Sequence, residues 1–274
     1  MLTVAAWFSH DSGLGHYTRA KRFVRFFKHK KKKVIFFTFK NLEELSDKIQ
    51  KKTGNTLIID TYIFSKKIEK KLKKNFKKVI IINDYQFKVP KDFFLLDTFK
   101  YTKKINHKLT FFGVEYIPNE YRKQILKKKT KQKYDFLIIL NNRSQNKFYK
   151  LYNSIDKKSK KIVVNIKDKE INNLCLKKKD IIAKPFIAEN KLLNYAKKSK
   201  FIISPGGQTM MFLIENNQFI NVYKTSENQS FYINMLYKKK LINKISLNSI
   251  FLKKNKKINY LEKRKKNMLL DILK

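Results

Sequence analysis

The sequence predicts an α/β protein of two similar halves, each a parallel sheet covered by helices on both faces, with a ligand cleft between them. Three observations predict it. Short runs that are apolar on both faces recur along the chain, patterns of helical period separate many of them, and the whole alternation occurs twice. The 274 residues are 42% hydrophobic and include 23 Phe and 14 Tyr, enough for a sizeable core.

In the first half, residues 2–8, 34–39, 57–59 and 79–82 are β-rich and bounded by polar or turn residues. Between them Tyr17, Ala20, Val24 and Phe27 repeat at three- to four-residue spacing, as do Ile68, Leu72 and Phe76, which predicts helices. Asn41-x-x-Glu44 has the form of a helix start. In the second half, strands are expected at 136–140, 162–164, 181–182, 201–204 and 219–223. Helices are expected at 147–155, 188–197, 209–216 and 229–237. Residues 119–133 are polar, rich in Lys and without apolar period. The domain boundary is therefore expected there, with one domain over 1–125 and a second over 126–274. Ile258, Leu261, Met268, Leu269 and Ile272 read as a basic amphipathic helix packed on the body of the protein.

Chemistry is expected where strands end and helices begin. Gly13-Leu14-Gly15-His16-Tyr17-Thr18-Arg19 directly follows the first strand and opens the first helix. Glycines there let the backbone approach a ligand, and the helix N-terminus favours an anion. Thr18 stands where the dinucleotide fingerprint needs Gly or Ala, so that fingerprint is excluded. The helix start favours an uncharged His16 able to act as a base. Asp60, followed by Thr61-Tyr62, and Asp84, followed by Tyr85, each close an apolar strand on the same expected edge. Ser204-Pro205-Gly206-Gly207-Gln208-Thr209 repeats the strand–glycine–helix logic and reads as a diphosphate seat. Glu227-Asn228-Gln229, at the next helix start, offers amides to a sugar or base, or a carboxylate to the helix dipole.

Composition narrows the partners. The net charge is +44, yet only six of the 65 basic residues are arginine (Arg19, Arg22, Arg25, Arg122, Arg143 and Arg264). Specific phosphate and base recognition favours the arginine fork, so the lysine excess reads as drift in an AT-rich genome rather than as a nucleic-acid site. A Lys-rich face touching the inner membrane surface is the second reading of that charge. The lone Cys175 excludes an intramolecular disulfide and a cysteine zinc site. His10, His29 and His107 lack ligand spacing, so no metal and no cofactor is expected. With no secretory leader and no apolar run of roughly 20 residues, the expected location is the cytoplasm, as a monomer.

Taken together, the Gly-x-Gly-His-x-x-Arg loop, Ile59-Asp60-Thr61-Tyr62, Asp84 and Glu227-Asn228-Gln229, in that order, resemble the PseG-like UDP-2,4-diacetamido-2,4,6-trideoxy-sugar hydrolases of pseudaminic acid biosynthesis, relatives of the MurG-type glycosyltransferases. Gly113, Tyr121-Arg122 and Tyr134-Asp135-Phe136 fit the same pattern, so the resemblance runs over nearly the whole chain. It implies a GT-B-like pair of Rossmann-like domains and a nucleotide-sugar substrate that loses UDP to water, with inversion and without metal, for a bacterial surface glycan. It further implies a catalytic His16, assisted by Tyr62. Gly13, Gly15, Arg19, Asp60, Asp84, Asn228 and Gln229 would bind substrate. Gly206, Gly207, Gln208, Thr209 and Glu227 would bind the nucleotide. The chain departs from the family at Asn141-Asn142-Arg143-Ser144, where a glycine pair and an acid are usual. It departs again at Met211 and Phe212, where a Glu usually reaches the ribose and Glu215 lies about one turn on. Two rivals stand beside this reading: a GT-B glycosyltransferase at the inner membrane face, and a polyanion binder without catalysis.

Overall fold

The computed structural model describes residues 1–8, 15–82, 87–97, 110–112, 131–141, 144–155, 158–185, 187–246, 250–256 and 258. The described residues through 112 belong to one compact unit and those from 131 onward to another.

The first unit opens with β1 (Leu2–Trp7), α1 (Gly15–His29), β2 (Val34–Phe39), α2 (Leu42–Gln50), β3 (Gly54–Asp60), α3 (Lys66–Asn75) and β4 (Phe76–Ile82). Two short strands, β5 (Phe94–Asp97) and β6 (Thr110–Phe112), complete its sheet. All neighbours pair in parallel in the order β2-β1-β3-β4-β5-β6. The two-residue period of each strand sorts its side chains between two cores. Val4, Ala6, Ile58, Ile80 and Ile82 pack with Ala20, Phe23, Val24 and Phe27 of α1. Ala5, Leu57, Ile59, Val79 and Ile81 pack instead with Leu45 and Ile49 of α2 and Ile68 and Leu72 of α3. That division is why the strands read as continuous apolar runs.

Local signals start the helices. Asn41 Oδ1 accepts from the Glu44 amide at 2.8 Å, and Ser65 Oγ caps α3 by accepting from the Ile68 amide. Phe76 does not continue the period of Ile68 and Leu72. Helix α3 stops at Asn75, and Phe76 takes extended geometry as the first residue of β4, buried in the core it shares with Leu72.

The second unit contains β7 (Tyr134–Ile139), α4 (Phe148–Asn153), β8 (Lys161–Val164), α5 (Lys169–Leu176), β9 (Ile181–Lys184) and α6 (Glu189–Lys198). It continues with β10 (Ser199–Pro205), α7 (Gln208–Glu215), β11 (Ile220–Tyr223), α8 (Ser230–Lys238) and β12 (Ile242–Lys244). Its sheet is parallel in the order β12-β11-β10-β7-β8-β9. Phe136, Ile138, Val163 and Ile203 pack with Phe148 and Leu151 of α4 and Ile171 and Cys175 of α5. The alternate residues Leu137, Ile139, Ile162 and Ile202 are equally buried and point the other way, where α6 and α7 contact the strands. Both units are thus doubly wound, Rossmann-like sheets.

Residues 250–256 are strapped to the second unit by asparagines. Asn221 Nδ2 donates to the carbonyls of Ile202 and Lys253, while its Oδ1 accepts from the Lys253 amide and from Asn243 Nδ2. Asn243 Nδ2 also donates to Phe251 O. Asn255 Nδ2 donates to Ala196 O and its Oδ1 accepts from the Phe219 amide. Ile258 is buried and its amide donates to Asn217 O. The rest of the amphipathic helix expected after it lies outside the described residues, as does most of the expected boundary segment.

Candidate active site

Open parallel sheets bind ligands beyond the carboxyl ends of their strands, where the strand order reverses. In the first unit the order reverses between β1 and β3, and Ala6 of β1 is aligned with Asp60 of β3. His16, the second residue of α1, meets Asp60 there: Nδ1 lies 2.5 Å from Asp60 Oδ1. Arg19, one turn along α1, holds the same carboxylate with Nε on Oδ2 at 2.5 Å and Nη2 on Oδ1 at 2.7 Å. All three side chains are buried, Asp60 completely. Helical spacing explains the pair: positions three apart share a helix face, so one carboxylate can receive both.

Burial alone would push the Asp60 pKa up. The Arg19 guanidinium, and His16 after it, outweigh that and hold the carboxyl below its ordinary range. An ionised Asp60 accepts the Nδ1 proton of His16, which leaves the Nε2 lone pair as the ring's basic position. Among the described residues no hydrogen bond reaches Nε2.

Aromatic rings frame the imidazole. Tyr62 meets it edge-on at 4.2 Å between centroids, and Trp7 lies 5.4 Å from it and 5.9 Å from Tyr62. Sequence reasoning passed over Trp7. Its signal was its position as the last residue of β1, on the edge that carries Asp60.

In the second unit the order reverses between β7 and β10. Gly206 and Gly207 follow β10, and Gly207 caps α7 with φ 131° and ψ −160°, a conformation open essentially to glycine alone. A Cβ there would meet nothing within 4 Å, so the space beside Gly207 is open. Met211 N–H bonds back to Gly207 O at 3.1 Å, while the first-turn amides of Gln208 and Thr209 precede any intrahelical acceptor. Gly206 is constrained differently. A Cβ on it would stand 2.7 Å from Gln229 Oε1 and 2.9 Å from Ile233 Cδ1.

Gln229 braces this loop: Nε2 donates to Gly206 O at 3.0 Å, and Oε1 accepts from the Thr225 amide at 2.9 Å. Across the reversal, Ser144 Oγ accepts from the Asn141 amide at 2.7 Å, and the Tyr223 hydroxyl donates to Ile139 O at 3.2 Å. Burial drives the Tyr223 pKa well above the ordinary tyrosine value, so the hydroxyl keeps its proton. Glu227 is exposed beside Lys224, whose hydrogen bond lowers its pKa. Met211, Phe212 and Glu215 are all buried in α7.

The structure therefore brings His16, Arg19, Asp60 and Tyr62 together, and separately Gly206, Gly207, Gln208, Thr209 and Gln229. Gly15 begins α1 beside His16. Gly13, Asp84, Gly113, Tyr121 and Arg122 lie outside the described residues, and Asn228 sits in a short 3-10 turn, Glu227–Gln229, with its side chain undescribed. Among the described residues no cluster of His, Cys, Asp and Glu could hold a metal ion, and no helix is long and apolar enough to cross a membrane.

No protein-family model matches the chain, and no curated protein does. Among solved structures, the chain is similar to an alpha-glucosyltransferase in complex with UDP and a 13-mer DNA containing an HMU base. The identity is 12% and the TM-score 0.44, over 83% of this chain and 80% of that one.

Proposed function

We propose that the protein is a nucleotide-sugar hydrolase that releases UDP from a UDP-linked 2,4-diacetamido-2,4,6-trideoxyhexose. One observation carries the reading: a buried histidine at a strand-order reversal, with Nδ1 held by a carboxylate and Nε2 without a partner among the described residues. That is the arrangement of a general base. The glycine seat at the start of α7 supports the nucleotide part of the reading.

The roles divide by unit. In the first, Nε2 of His16 takes a proton from water as the water oxygen bonds to the anomeric carbon. The bond from that carbon to the diphosphate oxygen breaks, its electrons leave with UDP, and the configuration inverts. Asp60 stabilises the imidazolium that forms, and Arg19 keeps Asp60 ionised, so the two act as positioning residues behind His16 rather than as substrate ligands. In the second unit the first-turn amides at the start of α7 offer donors that suit a diphosphate, and Gln229 holds the Gly206 turn in shape.

The test is UDP release from UDP-2,4-diacetamido-2,4,6-trideoxyhexose by the purified protein without an acceptor, followed with product stereochemistry by NMR. Free sugar of inverted configuration, lost in His16→Asn, is the expected result. UDP release that starts only when an acceptor sugar or lipid is added would identify a transferase and overturn the hydrolase.

A further inference from the structure

We infer that Trp7 and Tyr62 form a stacking wall beside His16 that takes the C–H face of a pyranose ring. The inference rests on the nucleotide-sugar reading above and deepens it by giving the sugar ring its own seat.

Trp7 ends β1, aligned with Phe39 on β2, and its indole is half-buried. Nε1 donates to Lys40 O at 2.9 Å, which fixes the ring and uses its one polar atom. What the indole still offers is carbon. Its ring lies tilted against both His16 and Tyr62, and Tyr62 stands edge-on to the imidazole, so three rings are grouped at the strand-order reversal. Two of them, Trp7 and Tyr62, are only partly buried, while His16 is buried.

Geometry then limits what can lie against them. A water activated by His16 lies between Nε2 and the anomeric carbon and attacks from about 3–3.5 Å, so the carbon sits one water's width beyond Nε2. The rest of the pyranose ring is bonded to that carbon and has to rest on the neighbours of His16. A pyranose has faces of weakly positive C–H bonds, which match the negative π faces of indole and phenol rings. A hydroxyl turned toward Trp7 would find no indole N–H to bond, because that proton is held by Lys40 O. The wall therefore favours a sugar whose facing carbons bear hydrogen.

Trp7 is the only tryptophan in the 274 residues, so indole emission of the whole protein reports this one position. The native protein is titrated separately with UDP-N-acetylglucosamine and with UDP, by fluorescence and by calorimetry, and the titrations are repeated with Trp7→Ala and Trp7→Phe. The expected result is a blue shift of native emission that saturates with UDP-N-acetylglucosamine binding and is absent with UDP. Trp7→Ala is expected to lose about tenfold in affinity for UDP-N-acetylglucosamine and less than about twofold for UDP, with Trp7→Phe retaining most of the difference. Calorimetric saturation with UDP-N-acetylglucosamine that leaves native emission unchanged would overturn the wall, and needs no variant to fold. Equal losses for both ligands, or none, in Trp7→Ala would overturn it as well. If the native protein binds neither ligand, the nucleotide-sugar reading fails, and the wall with it.

Discussion

Arg19 grips both oxygens of Asp60, at 2.5 Å and 2.7 Å, in a pair that is almost wholly removed from water. Desolvating two charges is costly, and the geometry has to recover that cost through the two hydrogen bonds and the third from His16. Such a pair is a poor source of stability but a demanding one to break, which makes it a means of fixing a neighbour's orientation.

Removing the carboxylate should therefore unfold the protein more easily. Asp60→Ala removes both Arg19 bonds and the His16 bond from a buried site and is expected to cost about 3–5 kcal/mol. Urea unfolding followed by far-UV circular dichroism measures it. A loss below about 1 kcal/mol would mean that water or the other partners of Arg19 make up for the carboxylate.

The same carboxylate sets an acid limb. Burial raises its pKa, but Arg19 and His16 prevail and leave it below the ordinary 3.8. Because the folded value lies below the unfolded one, the stabilisation is present above the unfolded pKa and is lost as pH falls through the folded one. Native stability should decline from about pH 5 downward, and Asp60→Asn, without a titrating group there, should decline less steeply. Urea midpoints at several pH values for the two proteins decide it, and parallel slopes would assign the acid limb to other groups.

His16→Asn keeps a polar side chain but removes the proton acceptor. The turnover of the nucleotide-sugar should fall on the order of a thousandfold, with nucleotide affinity changed less than about tenfold. Near-native turnover would remove His16 from the chemistry. Joint loss of folding and binding would instead make it a structural histidine of the loop.

The two glycines after β10 should fail for different reasons. Gly207→Ala has space but forces a backbone conformation that alanine avoids, at a cost of roughly 1–3 kcal/mol. Gly206→Ala drives its methyl group into the Gln229 amide and Ile233. Gln229→Ala in the Gly206→Ala background should then recover part of the lost stability, because the clashing amide is gone. Thermal unfolding of the single and double variants measures the rescue, and strictly additive losses would refute the clash.

Replacing the cap Asn41 with Ala should lower stability by about 1 kcal/mol, since the Glu44 amide loses its acceptor. A thermal melt shows it, and no change would indicate that water substitutes at that helix end.

Long buried strands and capped helices were legible in the sequence because each is specified by its own residues. Residues 79–82 are apolar and buried throughout, and Asn41 announces α2 by a local bond. Elements specified by their neighbours were not legible. Phe94–Asp97, Thr110–Phe112 and Ile242–Lys244 are strands of three or four residues, too short for a period to emerge. Phe76 fits a helical spacing and a strand start equally well, and only pairing with Gly54 decides between them. The site divides in the same way. His16 and Asp60 could be placed at element ends from sequence, but their bond to each other depends on β3 lying beside β1, a crossover that no local pattern encodes. The brace that Gln229 makes on Gly206 was not legible either, because it depends on β11 lying beside β10.

The asparagine strap has a consequence for synthesis. Asn221 and Asn243 are buried polar residues whose amides are met largely by backbone between Phe251 and Lys253, and Asn255 supplies the matching clasp from the other side. On the ribosome these side chains emerge well before their partners. Until residue 255 is out, these amides lack their partners in the strap and are met by water instead, so the surface that the strap covers stays open. Its final closure is therefore timed by translation of one short stretch, whereas the bonds between Arg19, His16 and Asp60 need only the first 60 residues to have emerged.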